Sequence, residues 1–423
     1  MDEKFNKIAK FNFWGDKIFD LGFLRSGYTS KMADFTGNRL IKVLVGQRRT
    51  GKSYILRQVA KNLIDNGLPP ENTLFINKEF TDFDFLNDYK ALDEFIKLYK
   101  SELKPEGRIY IFIDEIQNIE GWERVVNSYS QNYTENFEFF VSGSNSKMIS
   151  TELASLLSGR YITFNIFPFS YTEFLGITKS ELSKTSYLEY MSTGGLPELF
   201  AIPKPETRRN YVAAIKDTVM LRDIIQRQNI REPGLLEDIF VYLINNASNL
   251  ISVSNVFNYF KSLGRKTSYD IISNYIGYLQ DSFLVHRCER YDIRGKQTIA
   301  GNVKFYANDL AYKNYLYPGF GYGFGYMLEN LLYLEIRRAG YEVYTGNIRN
   351  KEVDFIAKKA DKTIYIQCAY LLAEPETIER EYGAMEVIDD NYEKYVVTLD
   401  DLIMPSNKGI KHVQAWNLAE ILL

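Results

Sequence analysis

The sequence predicts an α/β protein that begins with a parallel β-sheet and continues into further domains. Two observations support this fold class. First, short apolar runs alternate with amphipathic stretches, which is the βαβ order of a parallel sheet. The expected strands lie at about 40–45, 73–77, 109–113 and 137–142, and the expected helices at about 52–66, 85–103 and 121–133. Second, a glycine-bearing segment, 46–53, lies directly between the first strand and the first helix.

That segment matches the phosphate-binding pattern GxxxxGK[ST] in the strand–loop–helix setting that the pattern requires. Gly46 and Gly51 allow backbone N–H groups to surround phosphate oxygens, Lys52 is expected to reach the β- and γ-phosphates, and Ser53 is expected to hold Mg²⁺. The following helix directs its positive N-terminal end at the same anion. The sequence therefore predicts that ATP and Mg²⁺ bind here. The expected binding residues are Gly46, Gln47, Arg48, Arg49, Thr50, Gly51, Lys52, Ser53, Tyr54, Asp114 and Ser142.

A second strand supplies the acidic part of such a site. The run Ile109–Ile113 is apolar throughout, as a strand buried on both faces must be, and it is followed by Asp114 and Glu115. Asp114 is expected to complete the Mg²⁺ coordination shell, and Glu115 to polarise the attacking water. The alternative is a surface Asp-Glu pair that closes a structural strand.

A third strand ends in small polar residues. Phe137–Val141 is followed by Ser142, Gly143, Ser144 and Asn145. Parallel strands end at the same edge of a sheet, so either serine could sense the γ-phosphate. Ser and Asn are also common in ordinary turns, and that interpretation stays open.

Composition narrows the class of protein. With 423 residues, 45% of them hydrophobic, the chain is long enough for several domains with cores of their own. The net charge of −3 and the isoelectric point near 5.8 provide no overall field for nucleic acid, so any DNA contact must be local. No apolar run approaches the about 18 residues of a membrane span, and the start lacks a signal-type apolar core, which predicts a cytoplasmic protein without a membrane partner.

The chain contains too few cysteines and histidines for a disulfide framework or a Cys/His zinc site. Cys288 and Cys368 lie far apart, and the two histidines are His286 and His412. This set allows neither a disulfide framework nor a Cys/His zinc site. Core packing is the expected role of both thiols.

These residues resemble a known family, the AAA-type ATPases of bacteria and archaea that carry a trailing domain of uncharacterised function. The resemblance covers nearly the whole chain. Its landmarks are Arg48-Arg49 in the loop, Ile113–Gln117, Ser158–Arg160, Phe167–Ser170, Gly194–Pro197 and Leu221–Ile224. The resemblance implies that Arg160 is a catalytic arginine finger or nucleotide sensor, acting within the subunit or on a neighbour. A surface arginine at a helix end is the alternative.

Residues 235–312 predict a winged helix. Its helices are expected at 235–245, after Ser252 to Leu263, and at 268–281, followed by two strands joined at Tyr291–Lys296. In such modules the third helix often enters the DNA major groove. Here it contains no Lys or Arg and carries two Asp residues, which disfavours tight phosphate contact. The flanking cations are Arg265, Lys266, Arg287, Arg290, Arg294 and Lys296. A DNA-contacting module and a protein-facing regulatory arm both remain open.

A linker in which glycines alternate with aromatic residues precedes the C-terminal part. We expect an irregular segment whose aromatic side chains pack on a core, rather than a platform for base stacking. The C-terminal part is predicted to have a restriction-endonuclease-like α/β fold. A helix from Met327 leads into three strands, the last ending at Cys368. Such nucleases hold metal with a helix Glu, a strand Asp and a Glu-x-Lys. Glu329, Asp354 and Gln367 would take the first three places, but Ala369 replaces the lysine. We therefore expect an inactive relative used for binding.

The predicted organisation combines these parts. It consists of an N-terminal segment (1–35), an ATPase core with the P-loop NTPase sheet (36–175), a helical lid (176–234), a winged helix (235–312), a linker (313–326) and the nuclease-like domain (327–423). The predicted function is ATP hydrolysis, with Lys52, Glu115 and Arg160 catalytic, that switches the conformation of the later domains towards an unidentified protein partner. The alternatives are an ATP-liganded DNA-binding regulator and an ATP-gated nuclease. An oligomer is compatible with each of these.

Overall fold

The computed structural model describes residues 3–15, 17–149, 155–157, 159–318, 323–349 and 351–422. Ser158 of the Ser-Gly-Arg landmark and linker residues 319–322 lie outside the described residues. The chain divides into two compact units, Met1–Ile166 and Phe167–Leu423. The division falls earlier than the predicted boundary after residue 175, because Phe167, Tyr171 and Phe174 are buried in the core of the second unit.

The first unit contains a five-stranded sheet of order β2-β3-β4-β1-β5 in which every neighbouring pair is parallel. This confirms the predicted parallel α/β sheet. The strands are β1 (Ile41–Val45), β2 (Thr73–Asn77), β3 (Arg108–Asp114), β4 (Asn136–Gly143) and β5 (Tyr161–Asn165). The helices are α1 (Glu3–Ala9), α2 (Ser26–Ala33), α3 (Lys52–Asp65), α4 (Tyr89–Leu103) and α5 (Trp122–Ser130).

The sheet core is largely apolar and contains a buried ion pair. All five residues of β1 are buried, as expected for a central strand covered on both faces. One of them is Lys42, whose ammonium forms an ion pair with the buried carboxylate of Glu138 on β4. Arg108 pairs with the other oxygen of Glu138 at 2.9 Å. The two cations satisfy a carboxylate that burial would otherwise penalise heavily.

The N-terminal segment, predicted as a separate part, packs on the edge of this sheet. The Asn12 side chain accepts from the backbone N–H of Phe75 and donates to the carbonyl of the same residue at 3.1 Å. The indole N–H of Trp14 donates to the Thr73 carbonyl at 2.7 Å. Both contacts lie along β2, an outer strand, so the segment covers an edge that would otherwise expose unpaired backbone groups.

The second unit begins with helices. These are α6 (Tyr171–Thr178), α7 (Lys184–Thr193), α8 (Pro205–Thr218), α9 (Gln226–Gln228), α10 (Pro233–Asn245), α11 (Val253–Ser262) and α12 (Tyr269–Asp281), with π-helical turns at Val219–Ile225 and Tyr312–Leu316. Further along are α13 (Phe324–Arg338), α14 (Pro375–Glu386) and α15 (Ala419–Leu422). Among the described residues, no helix combines the length and apolar content needed to cross a bilayer.

An eight-stranded sheet runs through this unit in the order β13-β12-β11-β10-β9-β7-β8-β6. Its strands are β6 (Leu250–Ile251), β7 (Val285–Asp292), β8 (Gln297–Ala307), β9 (Glu342–Ile348), β10 (Lys351–Lys359), β11 (Lys362–Cys368), β12 (Glu393–Thr398) and β13 (Ile410–Gln414). This sheet combines strands from both of the segments predicted as domains, 235–312 and 327–423. The hairpin β7–β8 of the first pairs through β7 with β9 of the second, since a hairpin edge gains hydrogen bonds by pairing.

One backbone hydrogen bond joins two of the sequence landmarks in this unit. The Phe169 N–H of the Phe-Pro-Phe-Ser segment donates to the Gly195 carbonyl at 2.7 Å, and the Gly195 N–H donates to the buried carboxylate of Asp309 at 2.8 Å. The Arg338 guanidinium donates to the Phe169 carbonyl at 3.3 Å. A Cβ on Gly195 would lie 2.3 Å from the Phe169 carbonyl oxygen, so this close approach requires glycine.

Candidate nucleotide-binding site

The segment 46–53 connects the carboxyl end of β1 to the start of α3. Gly46 passes close to β5, and a Cβ there would lie 2.2 Å from the Ile166 carbonyl oxygen. Gly51, the residue before α3, has φ +92°, a left-handed conformation that other residues adopt at a cost. The N-terminal N–H groups of α3 therefore face the loop, which is the arrangement that binds phosphate.

Lys52 lies within the loop rather than in solvent. Its ammonium donates to the carbonyls of Gly46 and Gln47, both at 2.9 Å, and lies 4.0 Å from Oε1 of Glu115. Only 4% of the residue is exposed. The predicted phosphate-binding lysine and the predicted catalytic carboxylate thus lie near each other at the carboxyl ends of β1 and β3, the two strands that flank β4.

Asp114 is held by residues from three other elements. Asn77 of β2 donates to Oδ2 at 3.0 Å, and the Ser142 hydroxyl of β4 donates to Oδ1. The Ser53 hydroxyl also hydrogen-bonds to Asp114. Burial, and then the neighbouring charge of Glu115, raise the pKa of Asp114 above its ordinary value, while these hydroxyls oppose the shift.

Glu115 has a special backbone and a fixed side chain. Its φ of 53° lies in the left-handed region, which a residue with a side chain adopts only under constraint. Ser144 donates to Oε2 at 3.0 Å, and Gln117 donates to the same oxygen. In this conformation the carboxylate faces both Lys52, at 4.0 Å, and Arg48, at 3.8 Å.

The serines predicted as phosphate sensors contact the acidic pair in the structure. The Ser142 hydroxyl donates to Asp114 and accepts from the Glu115 N–H at 3.2 Å, and the Ser144 hydroxyl donates to Glu115. Both serines are fully buried. These hydrogen bonds indicate that the two side chains orient the carboxylates.

Arg160 lies away from the loop. Its carbonyl accepts from the N–H of Ile41, the first residue of β1, whereas the loop follows the last residue, Val45. At about 3.3 Å per residue, the two ends are separated by more than the length of an arginine side chain. The structure therefore does not bring Arg160 to the loop of its own chain, and a role within the subunit would need a large rearrangement.

The remaining predicted binding residues differ in how exposed they are. Gln47 and Thr50 are fully buried, and the Thr50 hydroxyl donates to the Gln47 carbonyl at 2.9 Å. Arg49 is exposed with φ 66°. Tyr54 is 40% exposed and its ring covers Gly22, where a Cβ would lie 2.9 Å from the ring.

Sequence reasoning missed two residues of the site. Arg25 is 2% exposed and donates from Nη1 to the Thr50 carbonyl of the loop at 2.7 Å. No local pattern marks it, because it comes from the N-terminal segment. Asn77 does have a local signal: it ends an apolar strand, as Asp114 does, and the two are register partners. A search for polar residues at every predicted strand end would have found it.

The second unit contains the other predicted cluster. Glu329 of α13, Asp354 of β10 and Gln367 of β11 do come together: the Gln367 side chain accepts from the Asp354 N–H at 3.2 Å. Between Glu329 and Asp354, however, lies the ammonium of Lys304 from β8, at 2.8 and 3.3 Å from their oxygens. Glu352 is 2.7 Å from the same ammonium. The sequence prediction did not include Lys304, since it belongs to the neighbouring predicted domain.

Lys304 takes the central position that the prediction assigned to a metal ion. Burial by itself lowers the pKa of an ammonium, but Glu329, Asp354 and Glu352 raise the pKa of Lys304 well above its ordinary value. A cavity of about 650 Å³ adjoins this cluster and is also lined by Ala369, Arg380 and Glu381. Within the described part of the chain, no group of three or more His, Cys, Asp or Glu side chains has the arrangement of a metal site.

The first unit fits a nucleotide with Mg²⁺. Ser53 and Asp114 supply two adjacent oxygen ligands of the type that Mg²⁺ prefers, and the loop offers backbone N–H groups and Lys52 for phosphates. The parallel sheet, the loop and the acidic strand end together define a P-loop ATPase domain of the AAA type.

The match to a family model agrees with this class. Residues 38–175 match the family model of an AAA domain, and residues 184–320 match a domain of unknown function, DUF8612. Among solved structures, a Walker-type ATPase of Pyrococcus abyssi is similar, with 14% identity, 70% of this chain and 95% of that chain covered, and a TM-score of 0.44.

Two relatives match over most of the chain. An uncharacterized protein of Haemophilus influenzae is 33% identical over 378 residues, which is 88% of this chain and 92% of the relative. An uncharacterized protein of Methanocaldococcus jannaschii is 32% identical over 384 residues, 85% of this chain and 82% of the relative. The chain belongs to the family of these two proteins, with an AAA domain in its first part.

Proposed function

We propose that this protein is a Mg²⁺-dependent ATPase whose hydrolysis cycle switches the conformation of its second unit. The observation that carries the proposal is the meeting of Lys52, Ser53, Asp114 and Glu115 at one edge of the parallel sheet. Lys52 and the loop N–H groups bind the phosphates, Ser53 and Asp114 hold Mg²⁺, and Glu115 accepts a proton from the attacking water.

The chemistry follows from these positions. Mg²⁺ bound by Ser53 and Asp114 would supply positive charge to the phosphate oxygens. Glu115, fixed by Ser144 and Gln117, removes the proton as the water oxygen bonds to the γ-phosphorus. The bond to the bridging oxygen breaks, leaving ADP and phosphate. Ser142 and Asn77 keep Asp114 in place during this step.

The role of Arg160 belongs to the same proposal in a restricted form. Because its backbone lies at the far end of β1 from the loop, Arg160 would complete the site only of a neighbouring subunit. An ATPase that is active as a monomer would remove Arg160 from the mechanism. A turnover rate per subunit that rises with protein concentration would favour a contribution in trans.

The later elements supply the moving parts. Helices α10, α11 and α12 followed by the hairpin β7–β8 support a winged helix, and α13 with β9, β10 and β11 supports a restriction-endonuclease-like fold. The α12 helix buries Ile272, Ile276 and Leu279 and offers no cation to a phosphate backbone. Arg265 is paired with Asp238, and Arg287 lies 3.5 Å from Glu289. We therefore favour a protein-facing arm over a DNA-binding one.

The experiment that tests the function is steady-state ATP turnover by the purified protein with Mg²⁺, with and without duplex DNA. We expect turnover that requires Mg²⁺ and changes by less than about twofold with DNA, because the phosphate contacts that give DNA affinity are missing from α12. A large, salt-sensitive stimulation by DNA would instead favour the DNA-binding alternative. No binding of ATP at all would overturn the proposal.

The ATP-gated nuclease is a second candidate because Glu329, Asp354 and Gln367 do lie together. The Lys304 ammonium already balances part of their charge, and Ala369 provides no general acid or base. These contacts support a binding domain that retains the fold of a nuclease without its activity.

Lys304→Met tests that interpretation. Removing the cation leaves three carboxylates close together, so we expect the free energy of unfolding to fall by about 3–5 kcal/mol in chemical denaturation. Lys296→Met, at an exposed turn position, is the matched control. Supercoiled plasmid is expected to stay intact with either variant and with the wild type, in Mg²⁺ or Mn²⁺. Cleavage by the wild type that is lost in Glu329→Gln would establish the nuclease instead.

A further inference from the structure

Arg48 of the loop binds two carboxylates that belong to different strand ends. One guanidinium nitrogen, Nη1, forms an ion pair with Glu79, two residues after β2, and the other, Nη2, lies 3.8 Å from Oε2 of Glu115. The Arg48 side chain is only 12% exposed; its contact with Glu115 is buried, whereas Glu79 is 47% exposed and holds the arginine from the solvent side. No part of the hydrolysis mechanism above uses this arginine.

Glu115 lies between two cations of the loop, Lys52 and Arg48. Its Oε1 is 4.0 Å from the Lys52 ammonium and its Oε2 is 3.8 Å from the Arg48 guanidinium. The lysine of this motif contacts the β- and γ-phosphates. Only the Glu115 carboxylate therefore separates Arg48 from the expected position of the γ-phosphate. Arg48 thus has a carboxylate partner on each side and a long side chain that can exchange one of them.

A phosphate group competes well for such an arginine. It offers more negative charge than a carboxylate and accepts two parallel hydrogen bonds from the planar guanidinium. ATP brings a γ-phosphate to this end of the site and ADP does not. Resting on the ATPase function proposed above, we propose that Arg48 is the residue by which the site distinguishes ATP from ADP, by leaving Glu115 for the γ-phosphate.

This exchange would couple recognition to catalysis. While Arg48 and Lys52 flank Glu115, their positive charges hold its carboxylate between them. When Arg48 moves to the γ-phosphate, one of these charges is withdrawn from Glu115. Arg48 is therefore a positioning residue for Glu115 as well as a specificity residue for the nucleotide.

Equilibrium binding tests this without requiring turnover. The dissociation constants of ADP and of a non-hydrolysable ATP analogue are measured by calorimetry with excess Mg²⁺ for wild type, Arg48→Ala and Arg48→Lys; the analogue stands for ATP because the wild type would hydrolyse ATP during the titration. For Arg48→Ala we expect the affinity for ATP to fall by about 10- to 100-fold and that for ADP to stay within about threefold, since a hydrogen bond to a charged group is worth about 1.5–3 kcal/mol. The ATP affinity of Arg48→Lys is expected to lie between those of the wild type and Arg48→Ala, because an ammonium cannot form the bidentate hydrogen bonds of a guanidinium.

A control and a second variant make the result specific. Arg39→Ala removes an arginine that lies before β1, at the opposite end of the sheet, with its guanidinium 5.0 Å from the Tyr133 ring, and it should leave both affinities unchanged. Glu79→Gln removes the second carboxylate that holds Arg48 while keeping both Arg48 and Glu115. It is expected to tighten ATP binding by a few-fold and leave ADP binding unchanged.

Two outcomes separate this inference from the proposed function. If Arg48→Ala weakens ATP and ADP equally, or neither, while the wild type binds both, Arg48 does not discriminate and this inference is wrong, although the nucleotide site stands. If the wild type binds neither nucleotide, the proposed function itself is wrong.

Discussion

Replacing Lys52 with alanine is expected to raise the dissociation constant for ATP by at least about 100-fold, because two hydrogen bonds from an ammonium to phosphate, each worth about 1.5–3 kcal/mol, are lost. The ammonium is enclosed by the loop, where its donors point at the Gly46 and Gln47 carbonyls. No other lysine lies in segment 46–53 to replace it. The measurement is calorimetric titration of ATP into the variant with Mg²⁺.

Lys61→Ala is the matched control for this experiment. Lys61 is on the same helix, α3, but its side chain is 40% exposed and pairs with Asp65. Nine residues along a helix correspond to about 13 Å, so Lys61 lies far from the surroundings of Lys52. Unchanged ATP affinity in Lys52→Ala, with the fold intact by circular dichroism, would show that the nucleotide site has been assigned to the wrong residues.

Glu115→Gln is expected to keep ATP bound while turnover falls by about 10²-fold or more, the range for loss of a general base. Glutamine has nearly the same shape and can accept the Ser144 hydrogen bond, but it cannot take a proton from water. Loss of the charge also removes the carboxylate that holds Arg48, so ATP affinity should stay equal or increase. Single-turnover hydrolysis and equilibrium binding measure the two effects separately.

Glu120→Gln provides the matched control, since Glu120 is an exposed carboxylate five residues further along the chain. Its turnover should equal that of the wild type. Normal turnover in Glu115→Gln would exclude Glu115 as the base and would leave only electrostatic catalysis by the loop. A loss of ATP binding in Glu115→Gln would instead indicate a structural role for its strained backbone.

The predicted nucleotide site depends on patterns that are local in the chain. Gly46, Gly51, Lys52 and Ser53 belong to one short motif, and Asp114 follows one apolar run. Periodicity places strands and turns, and parallel strands must end at a common edge, so the approximate site follows from sequence. Element ends in the structure lie within a few residues of the expected ones; α4, for example, begins at Tyr89 rather than at about residue 85.

The sequence did not predict that the two later segments share a sheet, for a physical reason. The alternation of apolar and polar residues describes each segment separately. Which strands pair at a sheet edge depends instead on which segments meet in the folded chain. The parallel pairing of β7 with β9 joins segments that had been assigned to a winged helix and to a nuclease-like domain. The same pairing brings β8, which carries Lys304, into the sheet that carries Asp354.

By itself, the sequence determined the class of the first domain and the residues that follow its strands, because phosphate binding requires a short, contiguous arrangement of backbone and side chains. Only the tertiary structure decided which groups those residues contact: Asn77 with Asp114, Arg48 with Glu79 and Glu115, Lys304 with Glu329, and Arg160 with the far end of β1. These partners come from distant parts of the chain. Their contacts depend on strand order and on the reach of long side chains, which no local pattern records.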